Sequence, residues 1–308
     1  MKFKLILNKN ANFYYFLHNL AEIKEPLHYR KWNIMPWKKE LNFPFSSSEA
    51  TALKKFKKKY YANFPKIYLG RFFFLEKNSW ETLKNEVGQE EINILNDVFR
   101  IWKNKFFLIY RRDLPNLKKW RKKLEIEIQK LSKSSLINFI NTKLIKFFNA
   151  PVPFKKKLKI YLMLCGTSNT ASGERGRGLD GKSILIEISR CPTHQINYVI
   201  GVIWHEYVHC CLASYHLRPL LLNFFKNDSK VLFAEEIIVR SLFPTGIFGI
   251  KFFKICPPST LTSSKWETLP KINKKQTKMV IDLTDQYLQK EKKIDTFYVK
   301  KIGRILKI

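Results

Sequence analysis

Negative charge is scarce in this sequence. It has 25 Asp and Glu residues against 57 Lys and Arg residues, which gives a formal net charge of +32 over 308 residues. An electrostatic field of that sign attracts anionic partners such as nucleic acid, an acidic membrane surface or an acidic polypeptide. The chain is also rich in Lys, Phe, Asn and Ile, a bias that an AT-rich genome produces as well. The charge therefore indicates a class of partner without identifying one.

Cysteine is sparse too, and its pattern excludes a disulfide framework. The chain has five cysteines, an odd number, and no two of them form a CxxC pair. We therefore expect a reducing compartment and a cytoplasmic protein. The N-terminal segment MKFKLILNKNANF has an apolar run too short for a signal peptide, and no small-residue cleavage site follows it.

Long apolar runs are rare, and the longest is Ile196–Ala213 (INYVIGVIWHEYVHCCLA). It has the length of a short membrane span, but it carries two His and one Glu, which are costly in lipid. We expect a helix buried in a protein core and no transmembrane segment. The overall hydrophobic content of 45% is that of a globular protein.

The positive charge is concentrated away from this apolar segment. Basic runs occur at Lys54–Lys59, Lys118–Lys123 and Lys155–Lys159, whereas residues 191–250 contain only four Lys or Arg. Such runs form either solvated helix faces or an anion-binding surface for nucleic acid or another acidic partner. The sequence leaves both interpretations open.

Hydrophobic periodicity predicts a mostly helical α+β protein with two regions. Residues 1–150 are predicted to form a basic, mainly helical N-terminal region, and the APVP segment near residue 150 marks the boundary. Residues 151–308 are predicted to form the catalytic region. The predicted strands are residues 2–7, 158–164 and 183–189. The predicted helices are residues 13–23, 49–61, 80–110, 118–140, 193–215, 228–243, 278–292 and 294–306. The predicted irregular segments are residues 27–45, 166–181 and 256–270.

The apolar run contains an H-E-x-x-H motif, formed by His205, Glu206 and His209. Positions i and i+4 of a helix lie on one face one turn apart, so two imidazoles there can reach one zinc ion. The Glu at i+1 lies beside the metal, where it can act as a general base on a water that the metal activates. Without a metal, burying these polar groups would be costly.

A catalytic zinc site needs a third protein ligand and one open position. A third His, in the metzincin pattern HExxHxxGxxH, is disfavoured because Tyr215 stands at the His position and His216 comes one residue late. The alternative is a Glu on a following helix. The segment LFAEEIIVRSLFP supplies Glu235 and Glu236, and helical periodicity alone does not choose between them.

At this point the chain resembles the gluzincin metallopeptidases, such as the thermolysin family, over roughly residues 158–245. In gluzincins the ligand Glu often follows a polar residue, which favours Glu236 as the third ligand, with Glu235 as the alternative. The run EIIVRSL is also similar to the second-helix motif of uncharacterised bacterial zincin-like proteins with long helical N-terminal regions. The chain departs from thermolysin in lacking an Asp four residues after the ligand: Val239 or Arg240 stands there.

This resemblance implies a zincin-like region with a small sheet, an active-site helix and a helix that carries the Glu. It implies a zinc metallopeptidase with one Zn²⁺ held by His205, His209 and Glu236, and a peptide or protein substrate. The residue that would stabilise the oxyanion stays open. The candidates are Tyr207, Tyr215, His216, Arg240 and Tyr287. The residue that does not bind zinc, Glu235 or Glu236, is expected to orient a His or to pair with Arg240.

Two other functions remain as alternatives. One is a catalytically silent zincin-like module that binds nucleic acid or another anion. The other is a P-loop nucleotide hydrolase, because Gly176–Ser183 (GRGLDGKS) fits the pattern GxxxxGK[ST]. A P-loop requires a helix after Ser183, whereas the alternating ILIEIS predicts a strand, with the motif in a loop between strands.

Overall fold

The computed structural model describes residues 3–21, 35–62, 85, 88–133, 135–151, 158–165, 172–176, 183–242, 248 and 272–308. The strands are β1 (Phe3–Ile6), β2 (Leu158–Met163), β3 (Ser172–Gly176) and β4 (Ser183–Glu187). The helices are α1 (Lys9–Leu20), α2 (Met35–Glu40), α3 (Ser47–Ala62), α4 (Gln89–Ser132), α5 (Ser135–Phe147), α6 (Ile196–Val208), α7 (Leu217–Phe225), α8 (Asp228–Arg240), α9 (Lys274–Gln289) and α10 (Thr296–Leu306). The fold is a mostly helical α+β fold, as predicted.

The four strands form one mixed sheet in the order β1-β2-β4-β3. Strand β4 runs parallel to β2 and antiparallel to β3, with Gly176 paired to Ser183. All five residues of β4 are buried, although their sequence alternates like that of a half-exposed strand. Because both faces of β4 are covered, its polar end residues, Ser183 and Glu187, are buried as well.

The chain divides into two compact units. The sheet unit comprises Lys4–Lys123 and Leu158–Thr193, and the C-terminal unit comprises Met1–Phe3, Leu124–Lys157 and His194–Ile308. This packing division differs from the predicted boundary near residue 150, because β2 packs against α1 and β4 pairs with β2. The assignment of a catalytic region to residues 151–308 stays a prediction.

In the sheet unit, a buried asparagine joins α1 to the end of β2. The Asn12 side-chain amide donates to the carbonyl of Leu162 (3.1 Å), and its oxygen accepts from the backbone N–H of Leu164 (2.7 Å). Asn12 is fully buried, so both bonds are shielded from water. One polar side chain thus hydrogen-bonds two buried backbone groups at the end of β2.

Helix α4 is one continuous helix of 44 residues, whereas the sequence predicted two helices separated near Pro115. Proline normally costs a helix about 3 kcal/mol or more. Here the apolar stripe continues past it: Leu117 and Trp120 are fully buried, and the Trp120 indole donates to the Cys191 carbonyl (2.9 Å). Packing on both sides of Pro115 therefore keeps the helix intact.

The other differences from prediction are local. Strand β3 lies inside the segment predicted as a loop, and α7 was not predicted because its nine residues follow the buried helix without a turn signal. Of the predicted irregular segments, residues 27–34 and 256–270 lie outside the described residues. Within the predicted irregular segment 27–45, residues 35–40 form the short helix α2. The predicted helix 118–140 is divided between the end of α4 and α5. The remaining predicted strands and helices are present with shifted ends among the described residues. Among the described residues, no helix is both long and apolar enough to cross a membrane.

We expect replacement of Asn12 by Ala to destabilise the protein by at least about 2 kcal/mol, because each buried backbone group left without a partner costs about 1–3 kcal/mol. Urea unfolding measures the loss. The matched control is Asn10→Ala, at an exposed position of the same helix, which should change stability by less than about 0.5 kcal/mol. Equal effects of the two substitutions would show that Asn12 does not hold α1 to the sheet.

Candidate metal centre

The HEYVH segment lies at the end of a deeply buried helix in the C-terminal unit. Helix α6 is apolar on most sides, and its last six residues, Ile203–Val208, are all buried. From His209 to Ala213 the chain continues as one turn of π-helix. Single π-helical turns within α-helices are frequent at functional sites. His205 thus lies in the last turn of the regular helix, and His209 begins the π-helical turn.

Helix α8 brings the two glutamates to this segment. Its start is fixed by Asn227, whose side chain accepts from the Lys230 backbone N–H (3.1 Å), and by Asp228 in the first turn. The helix packs against α6 and against the π-helical turn. The apolar residues that surround the glutamates on it, such as Ala234 and Ile238, are fully buried.

Three side-chain atoms converge where the sequence predicted a metal. The Nε2 atoms of His205 and His209 are 3.2 Å apart, and Glu236 Oε2 lies 3.0 Å from His209 Nε2 and 3.6 Å from His205 Nε2. Ligands at the usual zinc distances around a tetrahedral ion are about 3.3 Å apart. The three measured distances bracket that value, so His205, His209 and Glu236 could hold one metal ion.

Glu235 contacts the His209 imidazole at its other ring nitrogen, Nδ1. Its Oε1 lies 2.8 Å from His209 Nδ1, and it is fully buried. An ionised carboxylate only accepts, so Nδ1 carries the proton that is donated. In the neutral imidazole, Nε2 then presents its lone pair to His205 and Glu236, which is the form that a metal needs.

The charge of Glu235 is balanced by Arg218, at the start of α7. The guanidinium donates from Nε to Oε2 (2.7 Å) and from Nη2 to Oε1 (2.9 Å), a bidentate pair. Arg218, Glu235 and His209 therefore form a hydrogen-bonded chain in which the buried carboxylate has a partner at each oxygen. We call these three residues the Arg218–Glu235–His209 chain.

Glu236 has a different environment. Its side chain is 26% exposed, and Arg240, one turn later, donates to its Oε1 (2.6 Å). Burial acts to raise the pKa of Glu236, but the Arg240 guanidinium, together with His205 and His209 where their Nε2 atoms are protonated, outweighs it and holds that pKa well below the ordinary value. The carboxylate is therefore ionised at neutral pH and available as a ligand.

Glu206, the predicted general base, is buried at 8% exposure next to His205. No hydrogen bond joins its carboxylate to another described residue. It is not part of the group of converging atoms, which agrees with its i+1 position beside the metal ligands.

Of the five candidates for stabilising an oxyanion, Arg240 contacts the cluster directly, through Glu236. Tyr207 is fully buried against Trp204, and burial together with Cys211 raises the pKa of its phenol far above the ordinary value. The other three are engaged elsewhere or exposed: the Tyr287 hydroxyl donates to Asp295, His216 Nε2 lies 3.0 Å from the Ile294 carbonyl, and Tyr215 is 42% exposed.

The P-loop alternative fails on local structure. Residues 183–187 form strand β4, and no helix starts at Ser183. Gly176 and Ser183, the two ends of the motif, face each other as an antiparallel strand pair. A phosphate-binding loop needs a helix N-terminus at Ser183, so this segment is not a P-loop.

Sequence reasoning missed Arg218. The signal that could have found it was the low basic content of residues 191–250, where only four Lys or Arg occur. Two of those four, Arg218 and Arg240, form the ion pairs with Glu235 and Glu236. A rare cation beside two carboxylates in an apolar segment is a candidate partner for them.

Comparison of the chain with protein-family models, curated proteins and solved structures finds no match. The resemblance to gluzincins accordingly stays a prediction based on the motif residues.

We expect the protein to bind one equivalent of Zn²⁺ in competition with a chromogenic chelator. Glu236→Gln should weaken binding by more than the roughly 10–100-fold that loss of an outer partner costs, whereas Glu235→Gln should stay within that range. Glu90→Gln, at a side chain 80% exposed, is the control and should bind zinc like the wild type. Stronger loss in Glu235→Gln than in Glu236→Gln would reverse the assignment of the two glutamates.

We also expect Arg218→Met to destabilise the protein by about 3–5 kcal/mol, because it leaves the buried Glu235 without its cation. Urea unfolding of metal-free protein measures the change. The surface pair Arg100–Asp97 supplies the control, since Arg100→Met should cost no more than about 1 kcal/mol. Combining Arg218→Met with Glu235→Gln should recover part of the loss; strict additivity would argue against coupling between the two side chains.

Proposed function

We propose that this chain is a zinc-dependent peptidase whose metal is held by His205, His209 and Glu236. The observation that carries the proposal is the convergence of two Nε2 atoms and one carboxylate oxygen, 3.0–3.6 Å apart, on an H-E-x-x-H segment. Two imidazoles and one carboxylate are a donor set that catalytic zinc sites use, with the fourth position left for water or substrate.

The environments of the two glutamates support Glu236 as the third ligand. Glu236 points an oxygen at both imidazoles, whereas both oxygens of Glu235 are engaged by Arg218 and by the far side of His209. Glu235 thus takes the orienting role that was expected for the second glutamate. Arg240 pairs with Glu236 and not with Glu235.

Zinc at this position would lower the pKa of a bound water and polarise the substrate carbonyl. Glu206 accepts the proton from the attacking water and later donates it to the leaving amine. The Arg218–Glu235–His209 chain keeps His209 in the tautomer whose Nε2 lone pair faces His205 and Glu236. Arg240, the candidate that contacts Glu236, would stabilise negative charge that develops on the substrate carbonyl oxygen.

The choice of a peptide bond comes from the gluzincin resemblance, while the metal and the general base come from the residues at the site. A silent zincin-like module is the second candidate. Retention of Glu206 favours the enzyme, because a module that only binds metal has no use for a buried carboxylate without a hydrogen-bond partner among the described residues.

We expect the zinc-loaded wild type to cleave members of a mixed peptide library, detected by mass spectrometry. Glu206→Gln should keep one zinc and lose cleavage by at least about 100-fold, since general-base catalysis contributes roughly 10²–10⁴-fold. His205→Ala should lose both zinc and cleavage. A wild type that binds zinc but cleaves no peptide would favour the silent module, and a wild type that binds no zinc would refute both.

A further inference from the structure

The solvent side of helix α4 is strongly basic within the sheet unit. Between Asp97 and Glu125 the helix carries ten Lys or Arg residues and one acid, Asp113. Asp113 is 6% exposed, and its oxygens contact Arg112, Arg190 and Ser189. No acidic side chain on this stretch of the helix therefore reaches its exposed surface.

Four of the exposed cations form a row. At 100° per residue, Lys103, Arg111, Lys118 and Lys122 fall within an arc of about 100° around the helix axis. All four are exposed, and among the described residues none forms an ion pair. We call these four residues the α4 basic face. With a rise of 1.5 Å per residue, the row is about 29 Å long.

A fifth cation is held at the same face. Lys9 Nζ lies 5.3 Å from the centroid of the Phe107 ring, and Arg111 Cζ lies 5.6 Å from the same centroid. Two like charges thus share one aromatic ring with no carboxylate from the helix between them. An anion that binds both Lys9 and Arg111 would reduce the repulsion between their positive charges.

We infer that the α4 basic face binds the phosphate backbone of duplex DNA. Its length matches about 8 base pairs, and unpaired Lys and Arg side chains gain affinity by releasing the counterions of phosphates. Single-stranded nucleic acid is less suited, because stacking needs an open aromatic ring and Phe107 is covered by Lys9 and Arg111. The B-DNA major groove admits a helix, whereas the major groove of duplex RNA is too narrow.

This inference is independent of the proposed peptidase activity, since it uses no residue of the candidate metal centre. Of the three basic runs of the sequence, the α4 basic face uses part of one, Lys118–Lys123. In the Lys54–Lys59 run, Lys59 is paired with Glu91, whereas Lys54, Lys55 and Lys58 are exposed. In the Lys155–Lys159 run, Lys155–Lys157 lie outside the described residues and Lys159 is half-buried.

The test is fluorescence anisotropy of a random 24-base-pair DNA duplex titrated with the full chain at several salt concentrations. The face variant replaces Lys103, Arg111, Lys118 and Lys122 by Gln. The control variant replaces the exposed Lys274, Lys275, Lys278 and Lys300 by Gln, which lowers the net charge by the same amount. Circular dichroism shows that both variants are folded, and glutamine keeps the helix propensity of lysine.

We expect the face variant to lose at least 10-fold in affinity and to lower the slope of log K against log salt by about 3 to 4, since each phosphate contact contributes about 0.9. The control variant should change the slope by less than half as much. A second duplex of unrelated sequence should bind equally, because phosphate contacts carry no sequence information.

Equal losses in the two variants would overturn the inference, since total charge and not this face would then set the affinity. Tighter binding to an RNA duplex of the same length, or face-dependent binding to phosphatidylserine vesicles without DNA binding, would overturn the choice of duplex DNA.

Discussion

The candidate site depends on the pairing of one fully buried carboxylate. Glu235 has no access to water, so its charge must be met by protein groups. Arg218 engages both oxygens and His209 Nδ1 engages one of them. Because this pairing fixes the proton of His209 on Nδ1, it also decides which nitrogen faces His205 and Glu236. The orientation of the metal ligands thus follows from satisfying a buried charge next to them.

The adjacent Glu235 and Glu236 can take different roles because neighbouring helix residues point about 100° apart. On α8 one of them faces the core and the other faces the partly open side of the cluster, at 0% and 26% exposure. Each has its own arginine, Arg218 from another helix and Arg240 from one turn later. A ligand and an orienting residue can therefore follow each other in the sequence without competing for the same position.

The sequence predicted the local part of this site, because i, i+4 spacing places His205 and His209 on one face regardless of the rest of the fold. Helical periodicity could not choose between Glu235 and Glu236, since both have apolar neighbours at helical spacing, and only the resemblance to gluzincins favoured Glu236. In the structure the two environments differ because Arg218 from α7 pairs with Glu235. The same dependence on distant contacts explains the other misses. Two helices, residues 80–110 and 118–140, were predicted where buried Leu117 and Trp120 keep α4 continuous past Pro115, and β3 forms because β4 pairs with it.

The charge distribution also separates the two proposed activities. Residues 191–250 contain four acids and four Lys or Arg residues, so the excess positive charge of the chain lies elsewhere in the sequence. A divalent cation in a strongly basic protein needs local compensation, and three carboxylates against two guanidinium groups provide it near His205 and His209. The neutral composition of this segment therefore makes a metal site compatible with the high net positive charge of the chain.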